Sequence, residues 1–167
     1  AYIEWGAKCV MKFNGMWAAA IYDASKDNIL LTRDRFGIKP LYYSLVDDNL
    51  VFGSEIKFLA SFKESLSANE QMIYEYLRFN RIDHTEQTMF QDIMQIEPNR
   101  YMIYSQQGVK IGQYWNMQDE AEISKNIIEN KLNNAVNLRM RSDVEVGSLL
   151  SGGIDSSTIL GIINHNK

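Results

Sequence analysis

The chain has one cysteine among its 167 residues, Cys9, so no internal disulfide can form. That fits a reducing compartment, and a cytoplasmic protein is the expectation. Histidine is almost as scarce: His84 and His165 stand far apart, without an acidic or cysteine cluster at metal-ligand spacing. Both read as solvated loop or helix residues. The two prolines, Pro40 and Pro98, fall at turns. Basic charge is not in excess: 17 Lys and Arg against 21 Asp and Glu give a net charge of −4. No basic block interrupts that balance, which argues against a nucleic-acid partner. The longest apolar run, Met16 to Tyr22, is far short of the roughly 20 residues that span a bilayer. No signal peptide opens the chain, so no membrane partner is expected. Internal repeats and low-complexity tracts are absent.

What is present reads as a globular protein in two parts. Residues 7–13 look like a short helix with Cys9, Val10 and Phe13 turned inward, closed by an Asn14-Gly15 turn. Met16 to Asp23 has the continuous apolar character of a strand buried on both faces, and Ile29 to Thr32 is its return strand. After the mixed loop Arg33 to Pro40, Leu41–Val46 and Leu50–Gly53 form a second hairpin. Ser54 is expected to cap a short helix through Ala60. Asn69 is expected to cap a helix carrying Met72, Ile73, Tyr76 and Leu77 at helical spacing. Tyr101–Tyr104 and Val109–Tyr114 make a third hairpin, entered by a tight turn at Pro98-Asn99. The character then changes: residues 119–141 read as a long amphipathic helix, Val144–Leu150 as a strand, and a glycine loop leads into a final helix from about Ser156. Antiparallel hairpins thus give way to the opening of a doubly wound α/β domain. The expected division is 1–117 and 118–167.

The second part contains Gly147-Ser-Leu-Leu-Ser-Gly-Gly-Ile-Asp-Ser-Ser157. Gly152 and Gly153 remove Cβ atoms, so the backbone can approach an anion and offer its N–H groups. Ser151, Ser156 and Ser157 add hydroxyls, and the following helix points its positive end at the same place. Asp155 adds a carboxylate that would repel a phosphate unless Mg²⁺ lay between them. No lysine follows the glycines and G-x-G-x-x-G spacing is absent, so neither the Walker A pattern nor a dinucleotide fingerprint applies. The plainer reading is a Gly/Ser turn between strand and helix.

Ser151-Gly152-Gly153-Ile154-Asp155-Ser156 resembles the pyrophosphate-binding loop of the N-type ATP pyrophosphatases. Upstream, Asn14 to Asp23 resembles a strand of the class II glutamine amidotransferases, Arg33-Asp34-Arg35-Phe36-Gly37-Ile38-Lys39-Pro40-Leu41-Tyr42-Tyr43 a second signature of that group, and Ser54-Glu55 a third. In this order they resemble the glutamine-hydrolysing asparagine synthetases across essentially the whole chain. That resemblance implies an α+β fold: part of an αββα Ntn-hydrolase-type antiparallel sandwich, followed by the start of an α/β PP-loop domain. It implies glutamine, aspartate and ATP as substrates, with ATP and Mg²⁺ required. Aspartate would be adenylated, and ammonia from glutamine would displace AMP to give asparagine. By resemblance, Leu149, Ser151, Gly152, Gly153, Asp155, Ser156 and Ser157 bind the nucleotide, and Asp155 is the Mg²⁺ ligand. The resemblance places the family's N-terminal cysteine nucleophile upstream of Ala1, so no catalytic residue is assigned and the chain alone is expected to be inactive. Asn14-Gly15 matches a different segment from the family's oxyanion pair.

Other residues have structural explanations. Cys9 reads as a buried thiol. The eight methionines read as packing, with Met16, Met94 and Met102 the ones considered for an ammonia tunnel. Arg33, Asp34, Arg35 and Glu55 read as a buried ion-pair network that fixes their loop, with Arg33 or Arg35 expected to touch Glu55. Two alternatives stay open: a related amidotransferase acting on another carboxylate, such as a cell-envelope sugar acid or lactam precursor, and a non-catalytic module reusing the fold. A homo-oligomer is also left open.

Overall fold

The computed structural model describes residues 1–117 and 124–165. The chain divides into two compact units, Ala1–Met117 and Gln118–Lys167. The first is a mixed α/β unit built on two antiparallel sheets. Strands β1 (Ala18–Asp23), β2 (Asn28–Arg33), β6 (Arg100–Ser105) and β7 (Gly108–Gln113) form one sheet in the order β1-β2-β6-β7. Strands β3 (Tyr42–Val46), β4 (Asn49–Gly53) and the two-residue β5 (Met94–Gln95) form the other, in the order β4-β3-β5. All three expected hairpins are present, with registers that pair Ile21 with Leu30, Ser44 with Val51 and Met102 with Ile111.

The sheets share an apolar interior. Leu31 and Met102, register partners across β2 and β6, pack with Leu41 and Ile96, and Tyr43, Leu50 and Phe52 close over them. Burial follows position in the sheet. The central strand β2 hides Leu30, Leu31 and Thr32 completely or nearly so. By contrast, β1 is an edge strand and is not buried on both faces as its apolar run predicts; Tyr22 is 63% exposed. An edge strand has one neighbour and one protected face.

A second interior forms where Cys9 and Val10, on a 3₁₀ turn (Gly6–Lys12), pack with Tyr114 against Tyr2, Phe13, Trp17, Tyr101 and Trp115. Helix α1 (Tyr2–Trp5) leads into this turn. Helix α2 (Ile56–Ala60) starts after Glu55, which occupies the N-cap in extended conformation without a side-chain cap bond, so Ser54 is not the cap. Helix α3 (Glu70–Phe79) is capped as expected: the Asn69 side chain accepts from the Met72 amide at 3.3 Å. Its inward face is narrower than the spacing implies, because Met72 is buried while Leu77 is 77% exposed.

The second unit contains α4 (Lys125–Arg139), capped by Ser124, and α5 (Ile154–His165). Residues 119–123 of the expected helix lie outside the described residues. Helix α5 begins at Ile154, two residues before the expected start. Val144–Leu150 is irregular and not a strand, with Val144 76% and Leu149 96% exposed. A strand exists only through hydrogen bonds to a neighbour, and the described residues of this unit include no second extended segment to supply them. Among the described residues no helix is long and apolar enough to cross a membrane.

Candidate functional site

Two loops carry the residues expected to matter. In the first unit, the backbone leaving β2 turns sharply at Asp34. Its buried carboxylate accepts four backbone amides: Trp17 at 3.2 Å, Phe36 at 3.1 Å, Ile38 at 3.0 Å and Lys39 at 3.0 Å. Burial pushes this carboxyl upward, but the amides of Lys39, Ile38, Phe36 and Trp17 outweigh it and hold the pKa below the ordinary carboxylate value. The Asp34 carbonyl accepts from Gly37 and Asn99 at 3.1 and 3.0 Å, so one residue ties the loop to β1 and to the turn before β6. Asn99 sits in the left-handed region at φ 64°, and its side-chain amide donates to the Trp115 carbonyl at 2.6 Å.

Arg33 is the counterpart on the opposite side of the backbone, 6% exposed. Its Nε donates to the Lys39 carbonyl at 2.8 Å and one terminal nitrogen to the Gly37 carbonyl at 2.7 Å. The other terminal nitrogen donates to Gln95 Oε1 and the Ile96 carbonyl, both at 2.9 Å. Arg35 bonds the Phe13 and Met11 carbonyls at 2.6 and 3.2 Å and lies over the Trp115 ring. The expected contact of Arg33 or Arg35 with Glu55 is absent: Glu55 pairs with Lys57 at 2.6 Å on the surface. The reason lies in Arg33 itself, whose planar fork is already filled by carbonyls that only a buried donor array can satisfy. The network is therefore cation-to-carbonyl and carboxylate-to-amide, without an ion pair among Arg33, Asp34 and Arg35.

Sequence reasoning missed three members. Tyr114 donates its hydroxyl to the Arg33 carbonyl at 2.8 Å; burial raises its pKa to about 12, with Arg35 opposing and Asp34 adding to the rise. Gln95 and Asn99 are the other two. The available signals were a lone amide in the apolar run Ile93-Met94-Gln95-Ile96 and an asparagine in a proline turn.

The second loop is simpler. Gly152 has φ +82°, a conformation that side chains disfavour. At Gly153 a Cβ would meet only Ser151 Oγ, at 3.6 Å, so nothing inside the chain demands glycine there. Ser156 Oγ donates to the Gly153 carbonyl at 3.2 Å, which leaves Ser151 as donor in the 3.0 Å hydroxyl pair. The Ser157 amide bonds the Gly153 carbonyl as α5 begins. The Gly152 and Gly153 amides and the Asp155 carboxylate have no partner among the described residues. Leu149 stands fully in solvent on the approach. No group of three or more His, Cys, Asp or Glu side chains that could hold a metal exists among the described residues.

Cys9 is completely buried in its aromatic cluster, which fits a structural thiol. Met102 is core and Met16 is surface. His84 is not simply solvated: it pairs with Glu75.

Comparison with known proteins matches both parts of the chain to families. Residues 1–115 match the family described as glutamine amidotransferase domain. The chain belongs to that family. Residues 128–167 match the family described as asparagine synthase. Among individual relatives, a protein named putative asparagine synthetase [glutamine-hydrolyzing] 2 from Methanocaldococcus jannaschii is 35% identical over 97% of this chain and 33% of its own length. Asparagine synthetase [glutamine-hydrolyzing] 3 from Bacillus subtilis is 31% identical over 97% of the chain and 27% of its own length. A protein named amidase chry2 from Gibberella zeae is 29% identical over 98% of the chain and 25% of its own length. The chain thus spans a quarter to a third of the length of these relatives.

Proposed function

We propose that this sequence serves a glutamine-dependent, ATP-consuming amide synthetase of the asparagine synthetase kind, its first unit (1–117) belonging to an Ntn-type glutaminase and its second (118–167) opening a PP-loop synthetase. The observation that carries the reading is the loop at 151–157. Two glycine amides without partners among the described residues and three serine hydroxyls lie together at the start of α5, the arrangement that suits a polyphosphate. Gly153 supports it further, because the space its missing side chain leaves open is outside the chain, where a ligand would approach.

In this reading the Gly152 and Gly153 amides take the departing pyrophosphate, the Ser157 hydroxyl donates to its oxygens, Ser151 and Ser156 do so by giving up the bonds they make within the loop, and the backbone at Leu149 meets the adenine. The residues present fit Mg²⁺: an exposed carboxylate, Asp155, unbonded among the described residues, suits an ion that is otherwise held by phosphate oxygens. When bound, that ion would screen the charge developing on the leaving group. The role of Arg33, Asp34 and Arg35 is architectural. They fix the signature loop through buried hydrogen bonds and leave the chemistry to other residues.

The test is Asp155→Asn in an enzyme of the relatives' full length carrying this sequence. Amide synthesis should fall by at least about a hundredfold, the scale of losing a group that stabilises developing charge, while glutamine hydrolysis stays within about twofold. Equal loss of both activities would make Asp155 a structural residue and overturn the assignment.

A second reading differs only in the acceptor. The relative named as an amidase matches almost as well as those named asparagine synthetases, so another carboxylic acid in place of aspartate is a real alternative. Measuring which acid elicits pyrophosphate release separates the two.

A further inference from the structure

Helix α3 ends at Asn80, which adopts the left-handed conformation (φ 54°, ψ 36°) and turns the chain back along the helix. The returning segment brings His84 Nε2 onto Glu75 Oε2. Glu75 is also held by Gln71, whose side chain donates to Oε1 at 2.6 Å. The hydrogen bond from Gln71, then burial acting in the opposite sense, then His84 and Arg81 leave the Glu75 carboxyl below its ordinary pKa. The next residue extends the connection. Thr85 Oγ1 donates to Met72 Sδ at 3.8 Å, and the Thr85 carbonyl accepts from Gln95 Nε2 at 2.6 Å. The opposite end of the Gln95 amide accepts from Arg33 at 2.9 Å, and the Gln95 backbone amide donates to the Glu86 carbonyl at 2.8 Å. Gln95 is 2% exposed, so its two ends have no solvent to fall back on. Its orientation is fixed by the donor needed toward Thr85 and the acceptor needed toward Arg33.

We infer that His84 and Glu75 form a pH-dependent latch that holds the segment 81–88 in place and, through Thr85 and Gln95, sets how firmly the buried Arg33 grips the signature loop. Histidine is the side chain that ordinarily changes charge between pH 5 and 8. In its cationic form the pair is an ion pair; in its neutral form it is an ordinary hydrogen bond. Glu75, with a lowered pKa, keeps its charge throughout that window, so its share is lost only in stronger acid. The latch is therefore tighter when the imidazole carries a second proton and looser when it does not. Arg81 is the cation that acts on Glu75 beside His84, and Asp83 and Glu86 flank the segment in sequence. This device does not depend on the nucleotide loop.

The experiment is amide hydrogen exchange, corrected for intrinsic rate, on the chain from pH 5.5 to 8, with the Arg33 Nε–H resonance followed by NMR over the same range. The Gln87 and Gln95 amides report the segment directly, since they bond Thr85 Oγ1 and the Glu86 carbonyl. Their protection should fall about two- to fivefold between the extremes, the range a partly exposed ion pair supports. The Arg33 resonance should move along the same curve, and both dependences should vanish in His84→Gln and in Glu75→Gln. Protection in the wild-type chain that does not change with pH, an unchanged dependence in His84→Gln, or an Arg33 resonance that ignores the transition would overturn the inference. The wild-type titration is decisive alone, so a variant that failed to fold would leave the test intact.

Discussion

At the scale of single residues, Asp34 has the largest structural consequence. Its carboxylate serves four amides, one from Trp17 just before β1 and three from its own loop. Asparagine there would keep one acceptor oxygen and aim an NH₂ group at amides that need acceptors. Asp34→Asn should destabilise the first unit by about 3 kcal/mol, the scale of stranding buried donors around a charged acceptor, measured by urea unfolding at pH 7. The pH dependence has a defined sign. Because the carboxyl is held below its unfolded value, its contribution is full above about pH 4 and fades as the pH drops through the lowered folded value. The wild-type chain should therefore lose stability in acid more steeply than the variant. Gly37 gives a second test. At φ +64° its Cβ would lie 2.7 Å from Pro98 Cγ and 3.1 Å from Arg33 Cζ. Gly37→Ala should cost about 2 kcal/mol, combining the left-handed penalty with the clash, read from the same unfolding curves.

At the scale of elements, the hairpins and the Asn69 cap were legible, and the cap expected at Ser54 was not formed. Asn69 bonds the Met72 amide as a capping asparagine should, and Asn69→Ala should weaken α3 by about 1 kcal/mol, seen as faster exchange in its first turn. These features are local: a turn residue, an alternation, a cap. What the chain order concealed was set by partners distant in sequence. Whether β1 would be central or an edge depended on β6 returning beside β2. The destination of Arg33 depended on β5, two residues long and too short to carry a pattern of its own. Val144–Leu150 has the composition of a strand and no strand's hydrogen bonds, because composition supplies the side chains but not the neighbour. The glycines and serines at 151–157 stand out in the sequence, whereas the solvation of Leu149 does not.

At the scale of the whole molecule, the two units differ in how much they bury. The first owns two buried clusters. In the second, Val136 is the buried apolar residue among those described, and α4 and α5 line an open groove of about 840 Å³ beside Ile128, Leu132 and Ile162. Unfolding should not be a single transition. Amides of Leu31 and Met102 should exchange slower than those of Val146–Leu150 by on the order of a thousandfold or more, given a few kcal/mol of cooperative stability in one segment and almost none in the other. Uniform protection along the chain would contradict this.

The lone thiol offers a built-in gauge of that behaviour. Cys9 is sealed by Tyr114, Trp17 and Phe13, so a disulfide reagent can reach its sulfur only when the aromatic lid parts. The rate of colour development with such a reagent would meter, molecule by molecule and without any engineered label, how often the seal between the 3₁₀ turn and the end of β7 breaks.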